Sequence, residues 1–458
     1  MQARVEELEA RLAELEARLG RNSGNSSQPP SADTPEERAQ RPKPPRTGRK
    51  PGGQPGHRGV TRCTFPPELV EETHECYPQA CDGCGAPLAA EPGPDDPAPL
   101  IHQVADLPEH IQLRVREYRL HGLTCGCCAA RTWAVLPPGV PRGHWGPGVQ
   151  ALLALLVGYF HLSRRRAAEF LATLFGLAPC LGTLVKLEAA TVAALGPVVQ
   201  GAVGAVQQAS VVHSDETGWR KPRDRPTLWV VVAGALAVFR IGRRDGAMFE
   251  ALLPPGFARV VVSDRYAVYA RVAAAWRQLC WAHLRRNFQA LVDAGHPLGR
   301  AVGNWALAQI HELFHHWHRY QRGELTRTEL QEALQPVQDA FQALLAMGGA
   351  STYKPARRLC RSLDTVWDAL WTFAQREGVE PTNNAAERAL RPAVLWRKGS
   401  FGHQSEEGRK FVETMLTVGG SLRLQGRPVL PFVRAACAAA LAGAPAPSLL
   451  PSATAPPE

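Results

Sequence analysis

The sequence predicts a multidomain α/β protein, and three observations support that prediction. The chain has 458 residues, which corresponds to about three domains of ordinary size. Apolar, β-branched runs between residues 208 and 290 are typical of strands in a sheet that is covered on both faces. Segments with helical periodicity lie on either side, at residues 146–200 and 296–375. Hydrophobic residues make up 45% and charged residues 21% of the chain, which excludes a wholly disordered protein.

Residues 1–20 predict a short coiled coil that ends at Gly20. Its apolar residues follow a 3, 4, 3, 4 spacing, which is an a/d seam: Val5, Leu8, Leu12, Leu15 and Leu19. An isolated helix of this length is marginally stable in water. The seam therefore favours self-association, and a helix docked on its own domain is the alternative.

Residues 21–62, which include the segment NSGNSSQPPS, are rich in Gly, Pro, Ser and Asn and predict a linker. The chain carries a net charge of +10, and the segment from Arg38 to Pro67 contributes eight basic residues and no acid. The eight are Arg38, Arg41, Lys43, Arg46, Arg49, Lys50, Arg58 and Arg62. A flexible basic arm of this kind favours contacts with a phosphate backbone, and a merely solubilising linker is the alternative.

Residues 63–145 predict a zinc-binding domain, because two CxxC pairs supply four thiolates for a tetrahedral ion. The four are Cys81, Cys84, Cys125 and Cys128. Cys127 can replace Cys128, and Cys76 or His74 can compete. Unliganded buried thiols are the alternative to one structural zinc ion. Alternating apolar residues at 111–120, between the pairs, predict strands.

The predicted location is the cytoplasm, without a membrane partner. The first twenty residues have no apolar export signal, and the longest near-continuous apolar run, Leu228–Phe239, is too short to span a bilayer. In a reducing compartment the eleven cysteines indicate metal binding or free thiols rather than disulfides.

Residues 146–207 predict a helical region. Ser163 can cap one helix, Gly176 ends it, and another helix follows. A helix, a glycine turn and a second helix form the outline of a DNA-binding helix-turn-helix, but an ordinary helical hairpin has the same outline.

Two predicted strands each end in an aspartate, Asp215 in QASVVHSDETG and Asp264 in RVVVSDRYAVY. Strands of one sheet can bring both acids to the same edge. Carboxylates at such an edge can hold a pair of hard divalent cations that clamp both oxygens of a phosphoryl displacement. The alternatives are that Asp215 is a turn residue and that Asp264 caps the helix that follows.

Glu387 is the third candidate carboxylate, and it lies at the start of a predicted helix. Its spacing from Asn384 also fits a capping box, which is a structural alternative. Basic residues follow around Trp396, a mixture that favours phosphate contacts near a metal site: Arg388, Arg391, Arg397 and Lys398.

Glu387 lies 123 positions after Asp264, which exceeds what one strand and one helix need. Residues 296–375 predict three helices, which indicates an all-helical insertion. The first presents His311, His315 and His318 on one face, which we interpret as a solvated or DNA-facing surface rather than a metal site. His283, in CWAHLRR, can contact a phosphate or a carboxylate, or it can be a packed core residue.

Over nearly its whole length the chain resembles the DDE transposases of the insertion sequence 66 family. The motifs that carry the resemblance are the leucine seam, NSGNSSQPPS, RKPGGQPGHRG, the two cysteine pairs, HSDETGWR, SDRYAVY, CWAHLRRNF, PTNNAAERALRP and RKGSFG. The resemblance implies a ribonuclease-H-like catalytic core with an α-helical insertion before the final glutamate. It also implies that Asp215, Asp264 and Glu387 are the catalytic residues and that the cysteine region binds zinc.

The implied activity is that of a DNA transposase that cleaves and joins insertion-sequence ends. Two Mg²⁺ or Mn²⁺ ions per active site would be held by Asp215, Asp264 and Glu387, with Asp215 bridging both. The implied partners are terminal inverted repeats and target DNA, a second copy of the chain through the coiled coil, and accessory proteins of the same element. The implied location is the bacterial cytoplasm. The alternatives are a nuclease that cuts without joining and a zinc-containing DNA-binding regulator with an inactive catalytic domain.

This interpretation divides the chain into eight segments. In chain order they are a coiled coil (1–20), a basic linker (21–62), a zinc-binding domain (63–145), a helical DNA-binding region (146–207), the first part of the core (208–295), the helical insertion (296–375), the last part of the core with its catalytic glutamate (376–425), and a C-terminal helix and tail (426–458).

Overall fold

We describe the fold from a computed structural model of the chain. The residues described are 26–28, 33–34, 64–89, 91, 93–94, 96–108, 111–221, 224–256, 259–400 and 402–451. The predicted coiled coil and nearly all of the basic linker lie outside them. The described residues divide into a small compact unit within residues 41–114 and a large one made mainly of residues 115–451, and each is considered by itself.

The small unit has little regular structure among its described residues. A short 3₁₀ helix spans Pro67–Leu69, and Ala80 and Pro87 form an antiparallel bridge around the first CxxC pair. The prediction of strands at residues 111–120, where the two units meet along the chain, is wrong, because all ten of these residues are outside any strand. No partner strand pairs with this segment in the described part of the chain, and Val115 is 85% exposed.

In the large unit the predicted sheet is confirmed as a mixed, five-stranded sheet. Its strands are β3 (Val211–Gly218), β4 (Thr227–Ala233), β5 (Leu236–Gly242), β6 (Val260–Ser263) and β7 (Arg277–Leu279), while β1 (Gly122–Thr124) and β2 (Arg131–Trp133) form a separate hairpin. The order is β5-β4-β3-β6-β7, with β3 in the centre. The pairs β5–β4 and β4–β3 are antiparallel, and β3, β6 and β7 are parallel.

The described residues form twelve α-helices, all in the large unit. They are α1 (Pro147–Gly158), α2 (Arg164–Phe175), α3 (Leu181–Gln208), α4 (Gly246–Leu252), α5 (Trp281–Asp293), α6 (Pro297–Gln321), α7 (Arg327–Ala350), α8 (Lys354–Asp364), α9 (Asp368–Gln375), α10 (Asn384–Ser400), α11 (Glu406–Leu424) and α12 (Val429–Ala442). The predicted cap of α2 is confirmed, since Ser163 Oγ accepts the Arg166 N–H at 3.3 Å. Gly176 ends the helix at a φ of 65°, in the left-handed region that glycine adopts without strain.

Two hydrophobic cores flank the sheet. One packs α1, α3, α11 and α12 against strands β3 to β5, and the other packs α5 to α9 against β6 and β7. The first contains α3, which is long and apolar enough to cross a membrane by length and composition alone. That observation is weak evidence for a membrane span, because the buried core helix of a soluble protein passes the same test.

Side chains of α11 cover the outer edge of β5. Ser421, Thr417 and Glu413 accept the backbone N–H groups of Ala237, Phe239 and Ile241 at 3.0, 3.0 and 2.7 Å. The three acceptors recur every four residues along the helix, and the three amides recur every second residue along the strand, so one helix face matches one strand edge. This contact protects an edge that would otherwise pair with another chain.

Residues 296–375 are helical, as predicted, but the last predicted helix is two helices, α8 and α9. The chain turns between them so that α9 can dock on β7. The Thr372 hydroxyl donates to Arg277 O at 2.6 Å, and the Gln278 side chain accepts the Phe373 N–H at 2.7 Å. Because these contacts join residues that are distant in sequence, helical periodicity alone could not predict the break.

Candidate active site

Asp215 lies inside the central strand rather than at its end. It is opposite Val230 of β4, and β3 continues to Gly218, which is opposite Thr227. The alternative that Asp215 is a turn residue is therefore wrong. The turn propensity of Asp-Glu-Thr-Gly is overridden because β4 supplies a full antiparallel ladder along this part of β3.

Asp264 follows β6, the parallel neighbour of β3, and lies level with Asp215. His213 is paired with Val262, so two further residues on each strand bring the two aspartates to equivalent positions. The two acids are close enough for the charge of Asp264 to raise the pKa of Asp215, although Asp215 is not at a strand end. Asp264 Oδ1 also accepts the Tyr266 N–H at 2.8 Å, but Asp264 does not cap the 3₁₀ helix that follows, because the N-cap position is Tyr266 and it has no side-chain cap.

Glu387 lies in the first turn of α10, and the start of that helix is tied to the sheet. The Asn383 side-chain amide donates to Ser214 O at 2.8 Å, and the Asn383 N–H donates to Cys280 Sγ at 3.2 Å. The capping-box alternative is wrong, because Asn384 is already helical and the Glu387 N–H donates to Asn383 O. Glu387 Oε1 is buried without a hydrogen-bond partner among the described residues.

Asp215 has a raised pKa, and neighbouring acids contribute to it. Burial is the main cause that raises its pKa, from an ordinary 3.8 to about 8. The negative charges of Glu216, Asp264 and Glu387 add to the increase, and the Glu216 N–H opposes it. Carboxylates that repel one another in a partly buried site form a hard-oxygen donor set that suits a divalent cation such as Mg²⁺.

The three acids do not converge on a single point. Among the described residues, one group of three His, Cys, Asp or Glu side chains has ligand atoms that all lie within 4.8 Å of one another, and it is Cys280, His283 and Glu387. Asp215 and Asp264 are outside that group. The arrangement therefore differs from a compact cage for one ion.

Glu216 is a functional candidate that the sequence reasoning missed. Its side chain is only 3% exposed, and it accepts from Arg244 Nη2 at 2.8 Å and from the Tyr269 hydroxyl at 2.6 Å. As the next residue along β3, it points to the opposite face of the sheet from Asp215. Its position in the motif HSDETG is the available signal, but a strand that ends at Asp215, as predicted, leaves Glu216 outside the sheet.

The basic residues around Trp396 do not all face solvent. Arg397 donates to Thr217 Oγ1 at 3.2 Å and to Gly218 O, so it ties α10 to the end of β3. Trp396 is buried and stacks on His161 with ring centroids 4.8 Å apart. Arg388 borders a cavity of about 230 Å³ beneath α10. The predicted phosphate contacts of Arg388, Arg391 and Lys398 stay a prediction.

The histidines behave in two different ways. Three histidines on one face of α6 are exposed, as expected for a solvated or DNA-facing surface: His311, His315 and His318. His283, by contrast, is partly buried in the first turn of α5, and its Nδ1 lies 3.5 Å from Glu387 Oε1. The prediction that His283 can contact a carboxylate is confirmed.

Each CxxC pair forms the same kind of turn. The Cys81 N–H donates to Ala86 O at 2.9 Å and the Gly85 N–H donates to Cys81 O at 2.8 Å. The second pair repeats this pattern, with N–H···O distances of 2.9 Å from Cys125 to Ala130 and 3.0 Å from Ala129 to Cys125.

Backbone N–H groups of the following residues lower the pKa of the first thiol in each pair, which favours the thiolate that a metal binds. By its place in the turn, Cys128 is the counterpart of Cys84. The zinc ion and its four ligands stay a prediction.

Comparison with known proteins gives two family matches. The family described as "Transposase IS66 family" matches residues 142–410, and a family of unknown function, DUF6444, matches residues 1–63. Two proteins of Sinorhizobium fredii (strain NBRC 101917 / NGR234) are similar in sequence. Uncharacterized protein y4hP is 26% identical over 392 residues, which cover 76% of this chain and 68% of that protein. Uncharacterized protein y4qI is 24% identical over 210 residues, which cover 42% of this chain and 38% of that protein.

Proposed function

Because the chain belongs to the transposase IS66 family, whose match covers more than half of its 458 residues, we propose that it is a DNA transposase that cleaves insertion-sequence ends and joins them to target DNA. The observation that supports the chemistry best is the placement of three acids on one side of the sheet. Asp215 and Asp264 are level on neighbouring parallel strands, and the helix that carries Glu387 is hydrogen-bonded to the same central strand.

Asp215, Asp264 and Glu387 would hold the divalent ions of the reaction, Mg²⁺ or Mn²⁺. When bound, such ions activate a water or a DNA 3′-hydroxyl for attack and stabilise the leaving oxygen. Asp215 is central to the proposal, since the neighbouring acids Asp264 and Glu387 both raise its pKa. Because both other acids influence Asp215, its carboxylate would belong to the set of side chains that holds the ions.

The other groups of the site orient these acids. Asn383 fixes the start of α10, Arg397 ties the body of that helix to the end of β3, and Glu216 anchors the opposite face of β3 through Tyr269. With its backbone held on both faces, β3 presents Asp215 in one position. Pre-organised carboxylates of this kind need little rearrangement when cations and DNA bind.

The fold supports a ribonuclease-H-like core with a helical insertion. The mixed sheet places the acid-bearing strand in its centre, and helices α5 to α9 separate β7 from the helix that carries Glu387. The helices of the insertion share a hydrophobic core with β6 and β7, and their outer faces would be available to DNA or to a second copy of the chain.

DNA is the proposed partner, and the cytoplasm is the proposed location, because a transposase acts on DNA. The basic arm at residues 38–62 would contact phosphates, and the region 146–207 would bind the terminal repeats. Two of the three arginines at the start of α2 are already paired, Arg164 with Glu188 at 2.7 Å and Arg166 with Glu169 at 2.9 Å. Arg165 is exposed and is therefore the strongest candidate for a DNA contact on that helix.

One structural zinc ion on two CxxC pairs completes the proposal. The equivalence of the two turns supports Cys81 and Cys84 from the first pair, and Cys125 and Cys128 from the second. The coiled coil of residues 1–20 would then join two copies, each holding one end of the element.

A strand-transfer assay with the purified full-length chain, labelled element ends and a target plasmid tests the proposed function. Mg²⁺-dependent cleavage followed by joining supports it, whereas cleavage without joining would indicate the nuclease alternative. DNA binding without cleavage would indicate the inactive regulator. Asp215→Asn, Asp264→Asn and Glu387→Gln should each abolish cleavage and keep end binding. Glu332→Gln, which alters an exposed acid on α7, should be as active as the wild type.

A further inference from the structure

A second donor set lies beside the proposed catalytic acids, at the junction of two helices. Cys280 immediately precedes α5, His283 lies in the first turn of that helix, and Glu387 comes from the first turn of α10. One ligand atom from each of these side chains lies within 4.8 Å of the other two. The set combines a sulfur, an imidazole nitrogen and a carboxylate oxygen.

Two of these donors form a close contact that is not a hydrogen bond. His283 Nδ1 and Glu387 Oε1 are buried atoms without a hydrogen-bond partner among the described residues, and they lie 3.5 Å apart as a histidine–carboxylate ion pair. Buried polar atoms are normally hydrogen-bonded, and this separation is longer than that of an ordinary hydrogen bond. A shared cation between them would satisfy both.

The third donor is arranged as a metal-binding thiolate would be. Cys280 is buried, and its Sγ accepts the Asn383 N–H at 3.2 Å. The same sulfur lies at the N-terminus of α5, where the helix dipole favours negative charge. Both features stabilise a thiolate once a cation has displaced its proton.

We propose that Cys280, His283 and Glu387 form a binding site for one thiophilic divalent cation of the zinc class. Sulfur and imidazole ligands select zinc-like ions over Mg²⁺, which prefers oxygen alone. Three protein ligands leave one position of a tetrahedral ion open to water or a phosphate oxygen.

The site shares Glu387 with the proposed catalytic centre, and the consequence of this sharing rests on the proposed function. An ion held by Cys280 and His283 would draw Glu387 away from the Mg²⁺ site. Zinc-class ions would then inhibit Mg²⁺-dependent cleavage by competing for one carboxylate.

Binding is tested with ¹¹³Cd²⁺ alone and the full-length chain, by cadmium NMR. The wild type should show a resonance typical of a site with one sulfur ligand, distinct from any four-sulfur resonance of the CxxC pairs. Cys280→Ser and His283→Gln should each remove the one-sulfur resonance. Serine keeps an acceptor for the Asn383 N–H, so Cys280→Ser should fold, and thermal melting checks this. Cys360→Ser, at a buried cysteine of α8, is the matched control and should keep the resonance.

A wild-type spectrum without a one-sulfur resonance, or one that Cys280→Ser leaves unchanged, would overturn the proposal.

The predicted inhibition by zinc is tested separately, by titrating Zn²⁺ into Mg²⁺-supported cleavage. For each protein, activity is expressed relative to its own activity without zinc. The zinc concentration that halves cleavage should be higher for Cys280→Ser than for the wild type, and it should be the same for Cys360→Ser as for the wild type. If the wild type does not cleave at all, the proposed function fails while the cadmium result stands. If it cleaves but binds no cadmium at one sulfur, this proposal alone fails.

Discussion

At the scale of single residues, Asp215 has the most informative environment in the molecule. It lies in the middle of a central strand, where neither turn chemistry nor a helix end explains a carboxylate. Burial and three neighbouring acids together hold its pKa at about 8, so the folded chain binds a proton there more tightly than an unfolded chain does. The fold therefore tolerates a cost at this position that a bound cation would remove.

The first prediction follows from the sign of that shift. Because the folded pKa is raised, the stabilising effect of protonated Asp215 is complete below about pH 4 and is lost as the pH rises through about 8. In Mg²⁺-free buffer, Asp215→Asn should therefore melt at a higher temperature than the wild type, by a margin that grows between about pH 4 and about pH 8. Thermal melts across this range measure the margin, and a margin that does not change with pH would refute the explanation.

Glu216 shows how a residue outside the proposed metal-binding set can support the site. Its partners Arg244 and Tyr269 are 28 and 53 residues away in sequence, so no local pattern could identify them. The carboxylate is buried, whereas Arg244 is about half exposed, so the contact is more than a surface ion pair.

The second prediction is that Glu216→Gln lowers the free energy of unfolding by about 1–3 kcal/mol, because it weakens a buried, charge-assisted pair of hydrogen bonds. Glu250→Gln is the matched control. It alters an exposed carboxylate 3.6 Å from Arg271 and should change stability by less than about 1 kcal/mol. Denaturant unfolding of both variants measures the two changes in the free energy of unfolding. Equal changes would show that the burial of Glu216 adds nothing to the stability of the fold.

At the scale of elements, the sequence predicted the types of element better than their contacts. The strands that carry Asp215 and Asp264, and the all-helical segment before Glu387, followed from periodicity and from apolar runs. The split between α8 and α9 could not be predicted in this way, because it depends on where Thr372 meets β7. The strands predicted between the cysteine pairs failed for a related reason, since alternating residues become a strand only when a partner supplies the ladder.

The start of α10 is a second place where local sequence spacing could not predict a long-range contact. Sequence spacing predicted a capping box between Asn384 and Glu387, but Asn384 is already helical. The start of the helix is held instead by the Asn383 side-chain amide, which donates to Ser214 O, 169 residues away in sequence. Glu387 Oε1 has no hydrogen-bond partner among the described residues, so the side chain stays a candidate ligand.

The third prediction concerns the second CxxC turn. Because Cys128 is equivalent to Cys84 in its turn, Cys128→Ser should lower the zinc content of the purified chain, and Cys127→Ser should leave it unchanged. Metal analysis of the two variants by mass spectrometry checks this prediction. Loss of zinc from Cys127→Ser alone would assign the fourth ligand to Cys127.

At the scale of the whole molecule, charge and chemistry are separated along the chain. Eight basic residues lie between Arg38 and Pro67, whereas the candidate acids all lie beyond residue 210. Such a division suits the proposed function, in which the protein contacts the DNA backbone over a broad area and cleaves it at one phosphate. The proposed phosphate contacts and the proposed chemistry should therefore be separable by deletion.

The fourth prediction tests this separation. Deletion of residues 38–62 should weaken binding to element ends and to random DNA by similar factors, because phosphate contacts carry no sequence information. It should also flatten the dependence of affinity on salt, since fewer counterions are released. Binding titrations over a range of salt concentrations measure both effects. A selective loss of affinity for element ends would mean that the arm reads sequence.

The central claim is that Asp215 binds a catalytic cation, and the fifth prediction is a metal-rescue measurement with Asp215→Cys. Sulfur is a poor ligand for Mg²⁺ and a better one for Mn²⁺. With labelled element ends, Asp215→Cys should not cleave in Mg²⁺ and should recover part of its activity in Mn²⁺, whereas the wild type should cleave in both. Cleavage by Asp215→Cys in Mg²⁺ at the wild-type rate would contradict the claim, because the carboxylate would then be dispensable for binding the ion.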